Sequence, residues 1–187
     1  MSPVENRHES YTVEIAGLTR DLRLFEIKPG LKIAILNILG DTELVQACAQ
    51  ELTQKLKDVD YELLVTAEAK SIPLAHALSV ATQKPYVVLR KAYKPYMGEV
   101  IKAETHSITT GQPQTLILDE KDVELVKSKK VVILDDVIST GSTLQGMRMV
   151  LDKAGASVVA DAAIFTEGDR AQWMHIISLG HLPLFTE

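Results

Sequence analysis

An α/β fold, with a parallel twisted sheet flanked by helices, is what this chain of 187 residues predicts, and three observations lead there. Short apolar runs alternate with stretches of helical period from residue 41 to residue 165, the order that buries a parallel sheet between helices. The runs at 131–134 (VVIL) and 158–165 (VVADAAIF) are nearly continuous in apolar character rather than alternating, as expected of strands covered on both faces. A hydrophobic content of 46% with no long low-complexity tract fits one compact domain with a substantial core. In such a sheet ligands bind beyond the C-terminal ends of the strands, so the loops after each strand carry the chemistry.

The elements follow in order. Residues 11–25 and 31–36 alternate apolar and polar side chains around the turn at Lys28, Pro29 and Gly30, the pattern of antiparallel strands in a hairpin-like layer. A helix begins at Asp41 or Thr42 and places Leu44, Val45, Cys48, Leu52 and Leu56 on one face. Residues 61–66 read as a short apolar strand, and 72–82 as a helix that tolerates Pro73 in its first turn, where no N–H is needed. Residues 86–90 read as another buried strand after Pro85. The polar stretch 97–114, with Gly98, Gly111 and Pro113, predicts two strands of a long hairpin with a mobile tip. A helix after Asp119 runs through Val126 to the strand at 131–134, and residues 143–154 form a helix with Leu144, Met147, Val150 and Leu151 inward. The strand at 158–165 ends at Thr166, Glu167, Gly168 and Asp169; residues 179–185 (LGHLPLF) are too apolar for a free tail and are expected to dock on the sheet. Residues 1–187 thus divide into an N-terminal strand layer (1–40), an α/β core (41–165) and a C-terminal extension (166–187).

Composition narrows the function. A net charge of −5 argues against broad nucleic-acid affinity. No apolar run reaches the length that crosses a membrane, and MSPVENRHES does not resemble a signal peptide; a cytoplasmic location is the default. Cys48 is the single cysteine, so it forms no internal disulfide and reads as core filler. No His/Cys cluster suggests a tightly bound transition metal.

The informative stretch is residues 131–143, VVILDDVISTGST. Asp135 and Asp136 are expected where the strand leaves the sheet, followed by the small, hydroxyl-rich turn Ser139, Thr140, Gly141, Ser142 and Thr143. Such a turn presents backbone N–H groups to an anion, Gly141 permitting a positive φ and the helix N-terminus adding partial positive charge. Carboxylates repel phosphate, so they must meet another part of the same ligand, either hydroxyls or a hydrated metal. A sugar phosphate satisfies both. A second anion suits the loop after the strand at 61–66, where small residues including Ala69 surround Lys70 directly before a helix. At the next strand end, Arg90, Lys91 and Lys94 (RKAYKP) concentrate three cations. The G-x-x-x-x-G-K-[ST] pattern is absent, so ATP hydrolysis is not indicated.

DDVISTGST after a buried strand resembles the signature of the type I phosphoribosyltransferases, which bind 5-phosphoribosyl 1-pyrophosphate (PRPP), and the resemblance covers residues 61–165. It implies that the N-terminal strands form a small hood, that Asp135 and Asp136 take the ribose hydroxyls, and that Val137 and Ser139 to Thr143 hold the 5′-phosphate. It further implies that Ala69 and Lys70 belong to the pyrophosphate loop, Lys70 standing where adenine enzymes carry Arg. Arg90, Lys91 and Lys94 match the RK-x-x-K segment of purine enzymes, which contacts pyrophosphate and opens a lid that excludes water. After the last strand, Phe165 or Trp173 would stack on the base and Glu167 would accept a ring N–H. Magnesium would be held mainly by substrate and water, and a homodimer is expected.

The implied reaction displaces pyrophosphate from ribose C1 by a purine nitrogen, through a transition state with oxocarbenium-like charge. Asp135, Asp136, Lys94 and Glu104 are the catalytic candidates. Ser139 stands where hypoxanthine-type enzymes have a carboxylate, which turns the reading toward adenine, with xanthine next. Adenine-type enzymes place a Glu in the lid; here Thr109 falls at that position, and Glu99, Glu104 and His106 are the groups able to replace it. A PRPP-sensing protein without turnover is the alternative, although this chain carries no added helical DNA-binding segment.

Overall fold

In the computed structural model the described residues are 9–106 and 113–186. Strand β8 (Lys130–Ile138) lies in the middle of a five-stranded sheet. Its neighbours are β4 (Leu63–Ala67) with β5 (Tyr86–Leu89) beyond on one side, and β9 (Ser157–Glu167) with β10 (Ile177–Leu182) on the other. All four pairings are parallel, so every strand points its C-terminal end the same way and the following loops share one edge. Val131 to Leu134 are fully buried, which is why this run needs no polar alternation.

The two faces of this sheet are covered differently. Helices α1 (Thr42–Lys55) and α2 (Ile72–Thr82) pack on one face, together with a four-stranded antiparallel layer. That layer contains β1 (Ser10–Ile15), β2 (Leu18–Lys28), β3 (Leu31–Ile35) and β11 (Phe185–Thr186). The opposite face is covered by α3 (Glu120–Val126), α4 (Ser142–Lys153) and the hairpin of β6 (Ile101–His106) and β7 (Pro113–Leu118). The first hairpin strand falls within the stretch 97–114 that predicts it, whereas the second begins only at Pro113 and runs on to Leu118; the tip, including Thr109, lies outside the described residues.

Local chemistry sets the helix starts. Asp41 caps α1 by accepting from the Leu44 N–H at 3.1 Å, and Arg20 grips its carboxylate at 2.7 and 3.1 Å, holding it below the usual range. Asp119 caps α3 through the Lys121 N–H at 3.2 Å. α2 carries proline in its first turn, as its sequence predicts.

Three expectations shift. The N-terminal segment read as one run at 11–25 is two strands, broken by a turn at Ala16 and Gly17, both at positive φ. The C-terminal segment does more than dock: β10 extends the parallel sheet and β11 then pairs with β3. Strand β8 does not leave the sheet at the acids but continues to Ile138, because β9 keeps pairing as far as Thr166. Among the described residues no helix is long and apolar enough to cross a membrane.

Candidate active site

The paired acids sit where β8 loses one neighbour. Pairing with β4 stops at Leu134, while pairing with β9 continues through Asp135 opposite Ala163 and Val137 opposite Phe165. The vacated flank is filled by the loop after β4. Ser71, 2% exposed, places its Oγ 2.7 Å from Asp135 Oδ1 and 3.2 Å from Asp136 Oδ1, and accepts the Asp136 N–H at 3.0 Å. Asp135 Oδ1 also accepts the Asp136 N–H at 2.9 Å. Burial and the neighbouring Asp136 carboxylate push Asp135 up to about 7. Asp136 is 6% exposed, and its Oδ2 is buried without a hydrogen bond. Lys70 Nζ stands 3.2 Å from that oxygen as an ion pair, outside hydrogen-bonding geometry.

Lys70 is therefore engaged within the chain: its Nζ also donates to the Leu36 carbonyl at 3.0 Å. The expectation placed it as a free cation for a second anion; instead it neutralises the acid corner. Glu68, from the same loop, reaches the next strand end. It binds Arg90 Nε at 2.6 Å and accepts the Lys91 N–H at 2.6 Å. Although burial opposes it, these partners hold the Glu68 carboxyl below its usual value. The structure thus brings Lys70, Arg90 and Lys91 to one edge through Glu68, while the Lys91 and Lys94 side chains remain exposed.

Residues 139–141 form the turn into α4, which begins at Ser142, one residue earlier than its sequence suggests. Gly141 has φ +78° and, as the cap residue, offers the helix no side-chain bond; the Ser142 N–H makes only a long contact of 3.5 Å to Thr140 Oγ1. Thr140 Oγ1 and Ser142 Oγ lie 3.1 Å apart, and Thr143 Oγ1 donates to Gln114 Oε1 at 3.4 Å. Beneath the turn lies Trp173: a Cβ on Gly141 would stand 2.8 Å from its Cη2. The indole N–H donates to the Glu167 carbonyl at 2.9 Å, so Trp173 supports the turn rather than offering a face to a base. The hairpin is held close to α4 at Gly146, where a Cβ would stand 3.0 Å from Leu116 Cδ1 and 3.2 Å from Thr105 Cγ2.

The other predicted base contacts are displaced as well. Phe165 is 2% exposed and packs so tightly that a Cβ on Gly180 would stand 2.6 Å from its Cε1. Its ring belongs to the core and has no open face for stacking. Glu167 is 6% exposed at the end of β9, and burial pushes its carboxyl above the usual range. Glu104 is exposed on β6 opposite Thr115, in the hairpin rather than among the acids. Among the described residues no group of three or more His, Cys, Asp or Glu converges as a metal site. Ser71 and Glu68 carry no functional role in the sequence reading; the one available signal is that both flank Lys70 in the short loop directly before a helix.

Comparison with known proteins agrees with this geometry. Residues 36–176 match the family described as a phosphoribosyl transferase domain. A hypoxanthine/guanine phosphoribosyltransferase of Methanococcus voltae is 37% identical over 131 residues, covering 70% of this chain and 66% of that protein, so the chain spans just under two thirds of that relative's length. An adenine phosphoribosyltransferase of Thermosipho africanus is 32% identical over 149 residues, covering 79% of this chain and 84% of that one. The crystal structure of adenine phosphoribosyltransferase from Thermoanaerobacter pseudethanolicus matches with a TM-score of 0.71 over 86% of this chain and 95% of the other, at 21% identity, a likeness of fold.

Proposed function

Because this chain belongs to the phosphoribosyltransferase family, we propose that it transfers the 5-phosphoribosyl group of PRPP to a purine base, releasing pyrophosphate. One observation carries the reading: two adjacent acids are bonded to a cation-bearing loop on one side and lead, through the turn at 139–141, into a helix whose cap residue Gly141 makes no side-chain bond. That arrangement offers hydroxyl acceptors between two places for anions, which is the charge pattern of a pentose carrying phosphate at one end and pyrophosphate at the other.

In this reading the turn from Ser139 to Thr143 holds the 5′-phosphate with backbone N–H groups and hydroxyls, and Val137 lines the same corner. Asp135 and Asp136 accept from the ribose hydroxyls. PRPP binding displaces Lys70 from Asp136 toward the pyrophosphate, where it joins Arg90, Lys91 and Lys94 in stabilising the departing group. As pyrophosphate leaves C1, positive charge develops on the sugar, and the two carboxylates favour it. The donor set fits a hydrated magnesium ion carried by the substrate, since Asp135 and Asp136 can accept hydrogen bonds from hydroxyls and coordinated water; when bound, the ion would neutralise pyrophosphate charge.

Adenine is the proposed base, xanthine the next. Ser139 in place of a carboxylate supports adenine, as does the relative from Thermosipho africanus, whereas the relative named for hypoxanthine and guanine supports a 6-oxopurine. The test is incubation with magnesium, PRPP and, separately, adenine, guanine, hypoxanthine, xanthine, uracil and orotate. Nucleoside monophosphate from a purine alone is the expected result. Tight PRPP binding without product from any base would replace the enzyme by a sensor, and product from orotate or uracil would overturn the purine assignment.

A further inference from the structure

Ser71 has a placement that the reaction described above does not use. It occupies the cap position of α2, yet its hydroxyl makes no capping bond to that helix; it is turned instead onto two carboxylates 64 and 65 residues away. A capping serine ordinarily spends its oxygen on a first-turn N–H, so its diversion leaves a local helix bond unmade in favour of a distant one. From this we infer that Ser71 is a positioning residue for the acid pair, an inference that rests on the PRPP reading of the site.

The hydrogen-bond arithmetic defines the role. A serine hydroxyl has one proton and two acceptor sites. The proton goes to Asp135 Oδ1 at 2.7 Å, the shorter of the two contacts, and a lone pair takes the Asp136 N–H at 3.0 Å. Asp135 Oδ1 also accepts the Asp136 N–H at 2.9 Å and is thereby saturated by the chain. The carboxylate is fixed in rotation, and its second oxygen is the one presented to a ribose hydroxyl. The same serine links the loop carrying Lys70 to the strand carrying the acids, so the two ends of the substrate site are held at one spacing. Ribose geometry demands this: neighbouring hydroxyls on a ring need two carboxylates in a set relation, and two unrestrained carboxylates of like charge rotate apart.

Ser71→Ala tests the inference with little risk to folding, because the Asp136 N–H keeps Asp135 Oδ1 as its acceptor. A control, Ser79→Ala, removes a hydroxyl that bonds the Lys84 carbonyl at 2.6 Å from the same helix. Calorimetry with Mg-PRPP and steady-state kinetics are run on both, with urea unfolding as the measure of folding. Ser71→Ala is expected to weaken Mg-PRPP binding and raise KM for PRPP by about tenfold or more, the effect of losing a hydrogen bond to a charged group. KM for the purine stays within about twofold, Ser71→Thr restores most of the PRPP affinity, and Ser79→Ala leaves it unchanged. If Ser71→Ala is too unstable to assay, Ser71→Cys keeps the volume while weakening the donor and is expected to show the same split. Wild-type affinity in Ser71→Ala, with wild-type protein binding PRPP, overturns this inference alone. Equal losses in KM for both substrates, or the same loss in Ser79→Ala, reduce Ser71 to a structural role. Failure of the wild type itself to bind PRPP overturns the functional reading on which it rests.

Discussion

Replacing Asp135 by Asn should make the ligand-free protein more stable while removing its function. Asp135 is raised from an ordinary carboxyl value of 3.8 to about 7 by burial and by the adjacent Asp136. A folded-state value above the unfolded one means that the stabilising contribution of the protonated form is complete below 3.8 and is lost as pH rises through about 7. At about 1.4 kcal/mol per unit, ionising this group in the folded chain costs up to about 4 kcal/mol. Part of that cost is repulsion shared with Asp136, so substitution at one site should recover about 2 kcal/mol at around pH 8. The amide of Asp135→Asn keeps an oxygen for the Ser71 hydroxyl and the Asp136 N–H and puts a donor in place of the second oxygen. Urea unfolding of ligand-free protein at about pH 5 and pH 8 reads the effect. The variant should exceed the wild type by most at the higher pH, and its advantage should shrink at the lower, where the folded Asp135 carboxyl is protonated and only the unfolded chain ionises it. Mg-PRPP affinity measured in parallel should fall sharply. A variant less stable than the wild type at both pH values, or a stability difference independent of pH, would refute the assignment of repulsion and burial to this corner.

Other perturbations test the supports of the site. Gly141→Ala places a side chain at φ +78° and drives its Cβ to 2.8 Å from Trp173 Cη2; thermal unfolding should show a loss of about 1–2 kcal/mol, with a larger proportional loss of PRPP affinity. Arg148→Ala strips the ion-pair partner from Asp161, which is 2% exposed and has a second oxygen without a hydrogen bond. Urea unfolding should report about 3 kcal/mol of destabilisation, largely recovered when Asp161→Leu is added. Glu68→Gln weakens the 2.6 Å pairing with Arg90, which is partly exposed. Stability should change by less than about 1 kcal/mol, while turnover slows because the segment from Arg90 to Lys94 loses its anchor.

Local patterns in the chain account for much of the fold. The helix at 72–82 is found at the predicted residues because proline at its start and apolar spacing along it agree. The break at Ala16 and Gly17 does leave a trace that a reading as one run passes over: the apolar positions shift from 11, 13 and 15 to 18, 22 and 24 across Gly17, and the backbone there takes φ 51° and 73°. Strand β8 extends past its acids because β9 supplies ladder partners, which no pattern within residues 131–138 encodes. Motif spacing places the acids and the phosphate turn near one another, yet the bonds organising them come from Ser71 and Lys70, contacts between loops far apart in sequence. Phe165 and Trp173 show the same limit. Aromatic character suggests stacking on a base, but one ring fills the core and the other supports Gly141.

The most direct test of the central claim is calorimetric titration of Mg-PRPP into the wild type and into the double variant Asp135→Asn with Asp136→Asn, with folding verified for both. The wild type is expected to bind with a stoichiometry of about one per chain, and the double variant to show no measurable heat of binding while remaining folded. Equal affinity in the two proteins would contradict the account, since the sugar would then be held somewhere other than the corner built by these acids.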